Sequence, residues 1–98
     1  MDSEAYNYFD KAEKRLKQSG GCMFLCQSKN EKYEDAIDLY ERAAQLYIRS
    51  KMWSEAGQCY ENIADCQKQI GQDPIRSYEQ ASHYFCQVPG SKSKILFY

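Results

Sequence analysis

Large and small apolar residues recur at helical spacing in three stretches of this chain. The first stretch contains Tyr33, Ala36, Tyr40, Ala43, Ala44 and Tyr47, the second contains Trp53, Ala56, Tyr60, Ile63 and Ala64, and the third contains Tyr78, Ala81 and Phe85. Steps of three or four residues place side chains on one face of an α-helix. The pattern predicts helices in which small residues let a neighbouring helix approach and aromatic rings fill the space beside them.

Caps and helix breakers divide the chain into four predicted helices. These run over about residues 3–18, 31–50, 52–70 and 74–87. Gly20-Gly21 and Gly71 end the first and third helices, because glycine readily adopts the left-handed conformation found at helix ends. Asp73-Pro74 favours a new helix start, with a side-chain acceptor at the cap and proline in the first turn. Helices that repeat one packing pattern stack into a solenoid, which is typical of a binding protein.

The length and charge of the chain limit the number of domains and the classes of partner that we expect. Its 98 residues predict one domain or a piece of one, and its 13 basic and 14 acidic residues give a net charge of -1. This balance does not favour nucleic-acid binding, so we expect no nucleic-acid partner. No apolar run approaches the roughly 20 residues that span a bilayer. The acidic start Met1-Asp2-Ser3-Glu4 lacks a signal-peptide core, and five cysteines fit a reducing compartment, so we expect a cytoplasmic protein.

Candidates for catalysis or metal binding are few. The sequence has no glycine-rich phosphate loop, no nucleophile elbow and a single histidine, His83, for acid–base chemistry near neutral pH. Cys59 and Cys66 lie seven residues apart and His83 and Cys86 three apart, but the tight Cys-x-x-Cys element of structural zinc sites is missing. Cysteines among alanines and aromatic residues are typical of a helical core. We therefore expect no enzyme activity, no cofactor and no metal.

Several sequence blocks, in order, resemble one protein family. They are Ala12-Glu13-Lys14-Arg15-Leu16-Lys17, then a glycine-flanked apolar loop, then Tyr33-Glu34-Asp35-Ala36-Ile37-Asp38-Leu39-Tyr40, then Lys51-Met52-Trp53-Ser54-Glu55-Ala56-Gly57. In this order and spacing they are similar to the N-terminal portion of the soluble NSF attachment proteins of the alpha/beta-SNAP type. The resemblance covers about residues 1–87. Residues 88–98 do not match and form a separate tail, for which a disordered end, a strand and a foreign sequence all stay open.

The resemblance implies a fold and a role. Members of this family are twisted layers of antiparallel helix pairs related to tetratricopeptide repeats. The predicted fold is therefore an all-α, TPR-like, right-handed alpha solenoid of about four helices over residues 1–87. The family binds the four-helix, syntaxin-type SNARE complex and recruits the NSF ATPase, which takes the bundle apart. The part that engages NSF is C-terminal in the family and has no counterpart here, so the resemblance implies an N-terminal piece of such a protein.

Apolar residues between the first two helices are the strongest candidate for a functional site. Cys22-Met23-Phe24-Leu25-Cys26 lies between glycines and the polar Gln27-Ser28-Lys29-Asn30. One interpretation folds Phe24 and Leu25 back onto the helices as a small satellite core. The other, which the resemblance implies, is contact of Cys22 through Leu25 with a membrane. Acylation of Cys22 or Cys26 is a further alternative.

Basic residues near this loop and along the helices offer a second contact. Those that are candidates to face the SNARE bundle or lipid are Lys14, Arg15, Lys17, Lys29, Lys32, Arg49 and Lys51. The sequence leaves open the direction of Arg42, Lys68 and Arg76. Close to a membrane surface each cation adds about 1 kcal/mol of attraction to anionic lipid. A solvated helix face is the ordinary alternative for each of them.

Together these observations predict an adaptor in membrane fusion and vesicle traffic, peripheral on membranes in the cytoplasm. Such an adaptor binds SNARE complexes at the membrane surface so that NSF can disassemble them. The alternative is a generic helical-repeat scaffold that binds a peptide in a groove and has no lipid contact. Liposome binding and capture of an assembled SNARE complex distinguish the two.

Overall fold

The computed structural model describes residues 3–17 and 29–89, which form four α-helices and, within these residues, no strand. Helix α1 spans Ser3–Lys17, α2 spans Lys29–Arg49, α3 spans Trp53–Gln69 and α4 spans Ile75–Phe85. The all-α prediction is confirmed. Each helix begins and ends within about two residues of its predicted boundary, which is the usual uncertainty of helix ends.

Consecutive helices run antiparallel, as their buried contacts show. Ala5, near the start of α1, lies in one buried cluster with Tyr47, near the end of α2. Ala12, towards the end of α1, lies in a second cluster with Ala36, near the start of α2. Both clusters continue into α3, and α4 packs on α3. The helices therefore form a layer in chain order, which confirms the helical-repeat fold expected from the sequence.

Alanine and cysteine provide the close approach between helices. The small residues without any exposed surface are Ala5, Ala12, Ala36, Ala43, Ala44, Ala56, Cys59 and Ala64. Tyr40 and Tyr47 are buried beside them. The Phe9 ring meets the Tyr40 ring edge-on, with 5.3 Å between centroids, and this contact ties α1 to α2. In α2, small and aromatic residues thus form the core as predicted.

The prediction for the third apolar stretch is wrong at Tyr78. This residue is 38% exposed at the edge of α4, and its hydroxyl donates to Asp65 Oδ1 at 3.3 Å. The buried face of α4 carries Ser77 and Ala81 instead. Ser77 Oγ donates to Gln67 Oε1 at 2.7 Å, so a polar contact lies where an aromatic ring was expected. Neighbouring residues are about 100° apart around a helix, and a shift of one residue is enough to turn Tyr78 towards solvent.

Two of the turns between helices use the left-handed backbone region. Gly71 has φ 79° after α3, and the Gln72 amide donates to the Gln67 carbonyl at 2.8 Å. Lys51 has φ 59° after α2, and the Met52 amide makes the equivalent bond at 2.9 Å. Both turns are Schellman motifs, in which a left-handed residue lets the chain satisfy the last helical carbonyls. Gly71 confirms the predicted stop of α3, whereas Lys51 adopts the same conformation without being glycine.

The start of α4 follows its predicted capping residues. Asp73 Oδ1 accepts a hydrogen bond from the Ile75 amide at 3.0 Å, and Pro74 immediately precedes the helix. The Pro74 carbonyl already accepts from the Tyr78 amide at 3.0 Å. Asp73 therefore satisfies an amide that the first turn leaves without a helical partner.

Candidate functional site

The segment that contains the predicted membrane contact joins α1 to α2. Cys22, Met23, Phe24 and Leu25 lie in residues 18–28, outside the described residues, so their role stays a prediction. Because α1 and α2 are antiparallel, the last residue of α1 and the first of α2 belong to the same end of the helix layer. This end is called the 18–28 end below. Among the described helices, none combines the length and the apolar character needed to cross a bilayer.

The predicted basic residues divide between the two ends of the layer. Lys14, Arg15 and Lys17 lie in the last turn of α1, and Lys29 and Lys32 lie in the first turn of α2, so these five share the 18–28 end. Arg49 ends α2, and Lys51 lies in the turn that follows. At 1.5 Å per residue, α2 separates Lys32 from Arg49 by about 25 Å. A flat lipid surface that crosses the axis of α2 at the 18–28 end therefore stays about 25 Å from Arg49.

Arg15 is engaged in a bond between helices. Its Nε and Nη2 atoms donate to Asp35 Oδ2, at 3.0 and 2.9 Å, and its side chain is only 19% exposed. Lys14 bonds Asp10 one turn earlier on the same helix, and this hydrogen bond raises the pKa of Lys14. Arg15 therefore holds α1 to α2, whereas Lys14 keeps its ammonium group at the surface.

Acidic side chains share the 18–28 end with these cations. Glu31, Glu34 and Asp35 lie exposed near the start of α2 and oppose part of the positive charge. Lys32 Nζ lies 5.2 Å from the centroid of the neighbouring Tyr33 ring. The end is therefore of mixed charge, and attraction to anionic lipid depends on a few exposed cations and not on a continuous basic patch.

The helix layer has two broad faces with different side chains. The Arg42 face carries Tyr8 of α1, Arg42 and Gln45 of α2, Tyr60 of α3 and Tyr84 of α4. The Tyr47 face carries Tyr6, Phe9, Tyr47, Glu55 and Gln58. Arg42 and Tyr47 are five residues apart, or about 140° around α2, and the neighbouring helices cover the sides between them. The two sets of side chains therefore lie on opposite faces.

Arg42 is the central cation of the Arg42 face. Its Nε bonds Asp38 Oδ2 at 3.3 Å, and its Cζ lies 6.0 Å from the centroid of the Tyr8 ring. A hydrogen bond with Tyr8, together with the charge of Asp38, raises the pKa of Arg42. Lys11 Nζ lies 5.7 Å from the same ring. The spacing of Asp38 and Arg42 already indicates an ion pair along one helix face, but the contact with Tyr8 depends on the packing of α1.

Two shallow depressions border Arg42 and Gln45. The first, of about 330 Å³, is lined by Asp38, Glu41, Arg42, Gln45 and Tyr60. The second, of about 240 Å³, is lined by Glu4, Tyr8, Arg42, Gln45 and Leu46. Gln45 Nε2 donates to the Tyr60 hydroxyl at 3.5 Å, and burial raises the pKa of Tyr60. Burial, followed by the charge of Asp38, also raises the pKa of Glu41. Hydroxyl, amide, carboxylate and guanidinium groups thus lie side by side on an open surface.

Three aromatic rings connect α3 to α4 on the Arg42 face. Trp53 and Tyr60 are seven residues apart on α3, which is about two turns. The Tyr84 ring stacks against both, with centroids 6.0 Å from Trp53 and 5.8 Å from Tyr60 and interplanar angles of 9° and 14°. His83 meets Tyr84 edge-on at 4.9 Å. The sequence pattern identifies Trp53 and Tyr60 but not Tyr84, which was outside the predicted apolar stripe of α4.

The described cysteines have the properties of core residues. Cys59 and Cys66 are buried and Cys86 is half-buried, and none of the three forms a disulfide. Burial raises the pKa of Cys59 to about 12 and that of Cys66 to about 11, so both thiols stay protonated at neutral pH. In residues 3–17 and 29–89, no three His, Cys, Asp or Glu side chains come together in a way that could hold a metal ion.

Comparison with known proteins shows what the chain is similar to. The family model described as soluble NSF attachment protein, SNAP, matches residues 3–94. A segment of 66 residues, or 66% of this chain, is 38% identical to the vesicular-fusion protein SEC17 of Komagataella phaffii. That segment spans 22% of the length of the yeast protein. No solved structure matches the chain. The family match extends past residue 87, and the predicted division of the chain at that residue stays a prediction.

Proposed function

This chain belongs to the soluble NSF attachment protein family, and from that premise we propose that it acts as an adaptor in vesicle fusion. In this proposal it binds SNARE complexes at the membrane surface so that the NSF ATPase can disassemble them. The observation that carries the proposal is the family match over residues 3–94, which includes all four helices. The description of the yeast relative as a vesicular-fusion protein agrees with it.

The proposal assigns only part of this work to the residues described above. The matched segment spans 22% of the yeast relative, and the resemblance places the NSF contact in a C-terminal region of the family. We therefore assign the SNARE and membrane contacts to this chain and assign no NSF contact to the matched segment.

The antiparallel arrangement of α1 and α2 supports a peripheral membrane contact through Cys22 to Leu25. Both helices meet the intervening segment at one end of the layer, so that end can approach a lipid surface without disturbing the core. Burial of Met23, Phe24 and Leu25 in lipid contributes at most about 1.5–3 kcal/mol each, less the cost of ordering the segment. Even a single acyl chain gives only marginal, reversible attachment. The contact is therefore weak for one copy and becomes useful when several copies bind one bundle.

Liposome flotation tests the membrane part of the proposal. We expect the double variant Phe24→Ser, Leu25→Ser to reduce flotation on vesicles of phosphatidylcholine and phosphatidylserine at least about tenfold, because two anchoring side chains are lost. Tyr6→Ser is the matched control, since Tyr6 is 58% exposed but lies in the first turn of α1, at the opposite end. Circular dichroism verifies that both variants keep their helices. Unchanged flotation of a folded double variant contradicts the loop contact.

Capture by an assembled SNARE bundle tests the adaptor part. We expect the immobilised four-helix complex to retain the chain and the separate SNARE proteins to retain it poorly, because the proposed partner is the bundle. Retention without flotation favours the alternative of a scaffold that has no lipid contact. A chain that keeps its helices but binds neither the bundle nor liposomes contradicts the adaptor proposal.

A further inference from the structure

We infer that Arg15 and Asp35 position the predicted membrane segment, because their bond fixes the two helix ends from which that segment extends. The inference rests on the membrane part of the proposed function and adds positioning residues to it. Residues 18–28 follow the last residue of α1, Lys17, and precede the first residue of α2, Lys29. A bond that holds the last turn of α1 against the beginning of α2 therefore also fixes both ends of the segment.

The Arg15–Asp35 bond lies close to both helix ends. Arg15 is two residues before the end of α1, and Asp35 is six residues after the start of α2, which is about 3 and 9 Å along the helix axes. The Asp10–Lys14 pair, one residue away from Arg15, lies within α1 and does not join the two helices. Position therefore distinguishes Arg15 from the neighbouring cation.

The geometry of this bond differs from that of an ordinary surface ion pair. Nε and Nη2 of Arg15 both donate to Asp35 Oδ2, which holds the guanidinium in one orientation. The Arg15 side chain is 19% exposed, whereas that of Lys14 is 70% exposed. A pair that is partly shielded from water is weakened less by salt and solvent than an exposed pair. The bond can therefore restrain the last turn of α1.

Loss of the bond leaves the last turn of α1 with fewer restraints. Leu16 is partly buried in the cluster that contains Ala12 and Ala36. The last four carbonyl groups of a helix have no partner within that helix, so its final turn frays easily. A frayed turn adds residues to the segment that must become ordered before Met23, at the middle of 18–28, enters lipid. The bond therefore lowers the cost of membrane contact without touching lipid itself.

The alternative role for Arg15 is direct attraction to anionic lipid. The two roles predict opposite effects for Asp35→Asn, which removes a negative charge at the 18–28 end. Direct attraction predicts more binding to anionic vesicles, because a source of repulsion is gone. Positioning predicts less binding, because Arg15 loses the partner that holds it. The low exposure of Arg15 favours positioning.

Flotation of the full chain on neutral phosphatidylcholine vesicles tests the inference, because these vesicles have no net charge to attract a cation. We expect Arg15→Gln and Asp35→Asn each to reduce flotation about two- to fivefold, because fraying lowers the population of the binding-competent state. The double variant should float like either single variant, since the same bond is lost in all three. Arg42→Gln is the matched control: it breaks an ion pair within α2, about 20 Å from the start of that helix, and should change flotation less than about 1.5-fold.

Folding controls separate positioning from a merely stabilising role. Circular dichroism verifies that each variant keeps its helices, and a bond that only stabilises the fold leaves the flotation of folded protein unchanged. If Arg15→Gln loses its helices, Asp35→Asn serves as the test, because the Asp35 side chain is 52% exposed. Flotation is then repeated on vesicles that also contain phosphatidylserine, where the sign of the Asp35→Asn effect distinguishes positioning from charge.

The outcomes distinguish this inference from the proposed function. The inference alone is overturned by unchanged flotation of a folded single variant, or by a loss in the double variant that equals the product of the two single losses. Increased flotation of Asp35→Asn on the anionic vesicles also overturns it. If the unmodified chain does not float, or if Phe24→Ser, Leu25→Ser floats equally well, the proposed membrane contact fails first and the inference fails with it.

Discussion

At the scale of single residues, Lys51 holds a backbone conformation that is unfavourable for a residue with a side chain. Its φ of 59° closes the turn between α2 and α3. Glycine adopts this region without steric cost, so we expect Lys51→Gly to raise the free energy of unfolding by about 0.5–1 kcal/mol. Urea unfolding monitored by circular dichroism measures the change. Lys51→Ala removes the same charge but keeps the strain, so a similar gain in this variant would contradict the explanation.

Single residues also show where prediction from the sequence fails, as at the buried face of α4. Ser77 lies four residues before Ala81, and Tyr78 lies three before it. Either residue can therefore share the buried face of α4 with Ala81 by helical spacing. Hydrophobicity favours Tyr78, but Gln67 of α3 supplies a partner that Ser77 reaches and a ring does not. That partner comes from another helix, so the spacing within α4 contains no sign of it.

At the scale of helix pairs, Gly57 controls how closely α4 packs on α3. A Cβ at this position would approach two ring atoms of Phe85 to 2.8 Å, which is closer than real contacts allow. Alanine favours a helix interior by about 1 kcal/mol over glycine, but displacing a packed ring costs about 1–3 kcal/mol. We therefore expect Gly57→Ala to lower the free energy of unfolding by about 1 kcal/mol, as measured by urea unfolding.

A double-mutant cycle isolates this contact. In a Phe85→Ala background the obstacle is gone, so Gly57→Ala should raise the free energy of unfolding by about 0.5–1 kcal/mol. The reversal of sign is the signature of a steric conflict between the two positions. A stabilising effect of Gly57→Ala in both backgrounds would mean that the Phe85 ring moves aside at little cost.

At the scale of the whole molecule, alkaline pH should weaken the fold. Burial raises the pKa of Cys59 to about 12 and that of Cys66 to about 11, from an ordinary value of 9.0. Above pH 9.0 the unfolded chain loses these protons while the folded chain retains them. The contribution of these two thiols to the free energy of unfolding is therefore complete below pH 9.0 and decreases as the pH rises towards 11. Each thiol lowers the free energy of unfolding by up to about 1.4 kcal/mol per pH unit in this window.

Urea midpoints between about pH 8 and pH 10.5 test this prediction. The variant Cys59→Ala, Cys66→Ala is the control, because it removes both buried thiols while keeping small side chains in the clusters. Its stability should depend less on pH than that of the unmodified chain. Parallel pH profiles for the two proteins would show that these thiols do not contribute.

The sequence predicts the helices of this molecule better than its surfaces. The alternation of alanine and tyrosine predicts the buried face of α2. Gly71 and Asp73 predict the turn before α4. Both predictions succeed because they depend only on residues close together in the sequence. The bond from Arg15 to Asp35 joins residues 20 positions apart, and no local pattern shows that this cation holds two helices together. The two opposite faces likewise appear only when neighbouring helices are in place. The predicted membrane residues in 18–28 lie outside the described residues and stay a prediction.

The stack of Trp53 on Tyr84 provides the molecule with its own spectroscopic reporter. Trp53 is the single tryptophan of the sequence, so indole fluorescence arises from one known place, the junction of α3 and α4. Detachment of α4 exposes that indole to water while α1 and α2 stay joined through their own contacts. The emission wavelength of Trp53 and its accessibility to quenchers therefore report the detachment of α4 without any added label. A partner that covers the Arg42 face changes the same fluorescence.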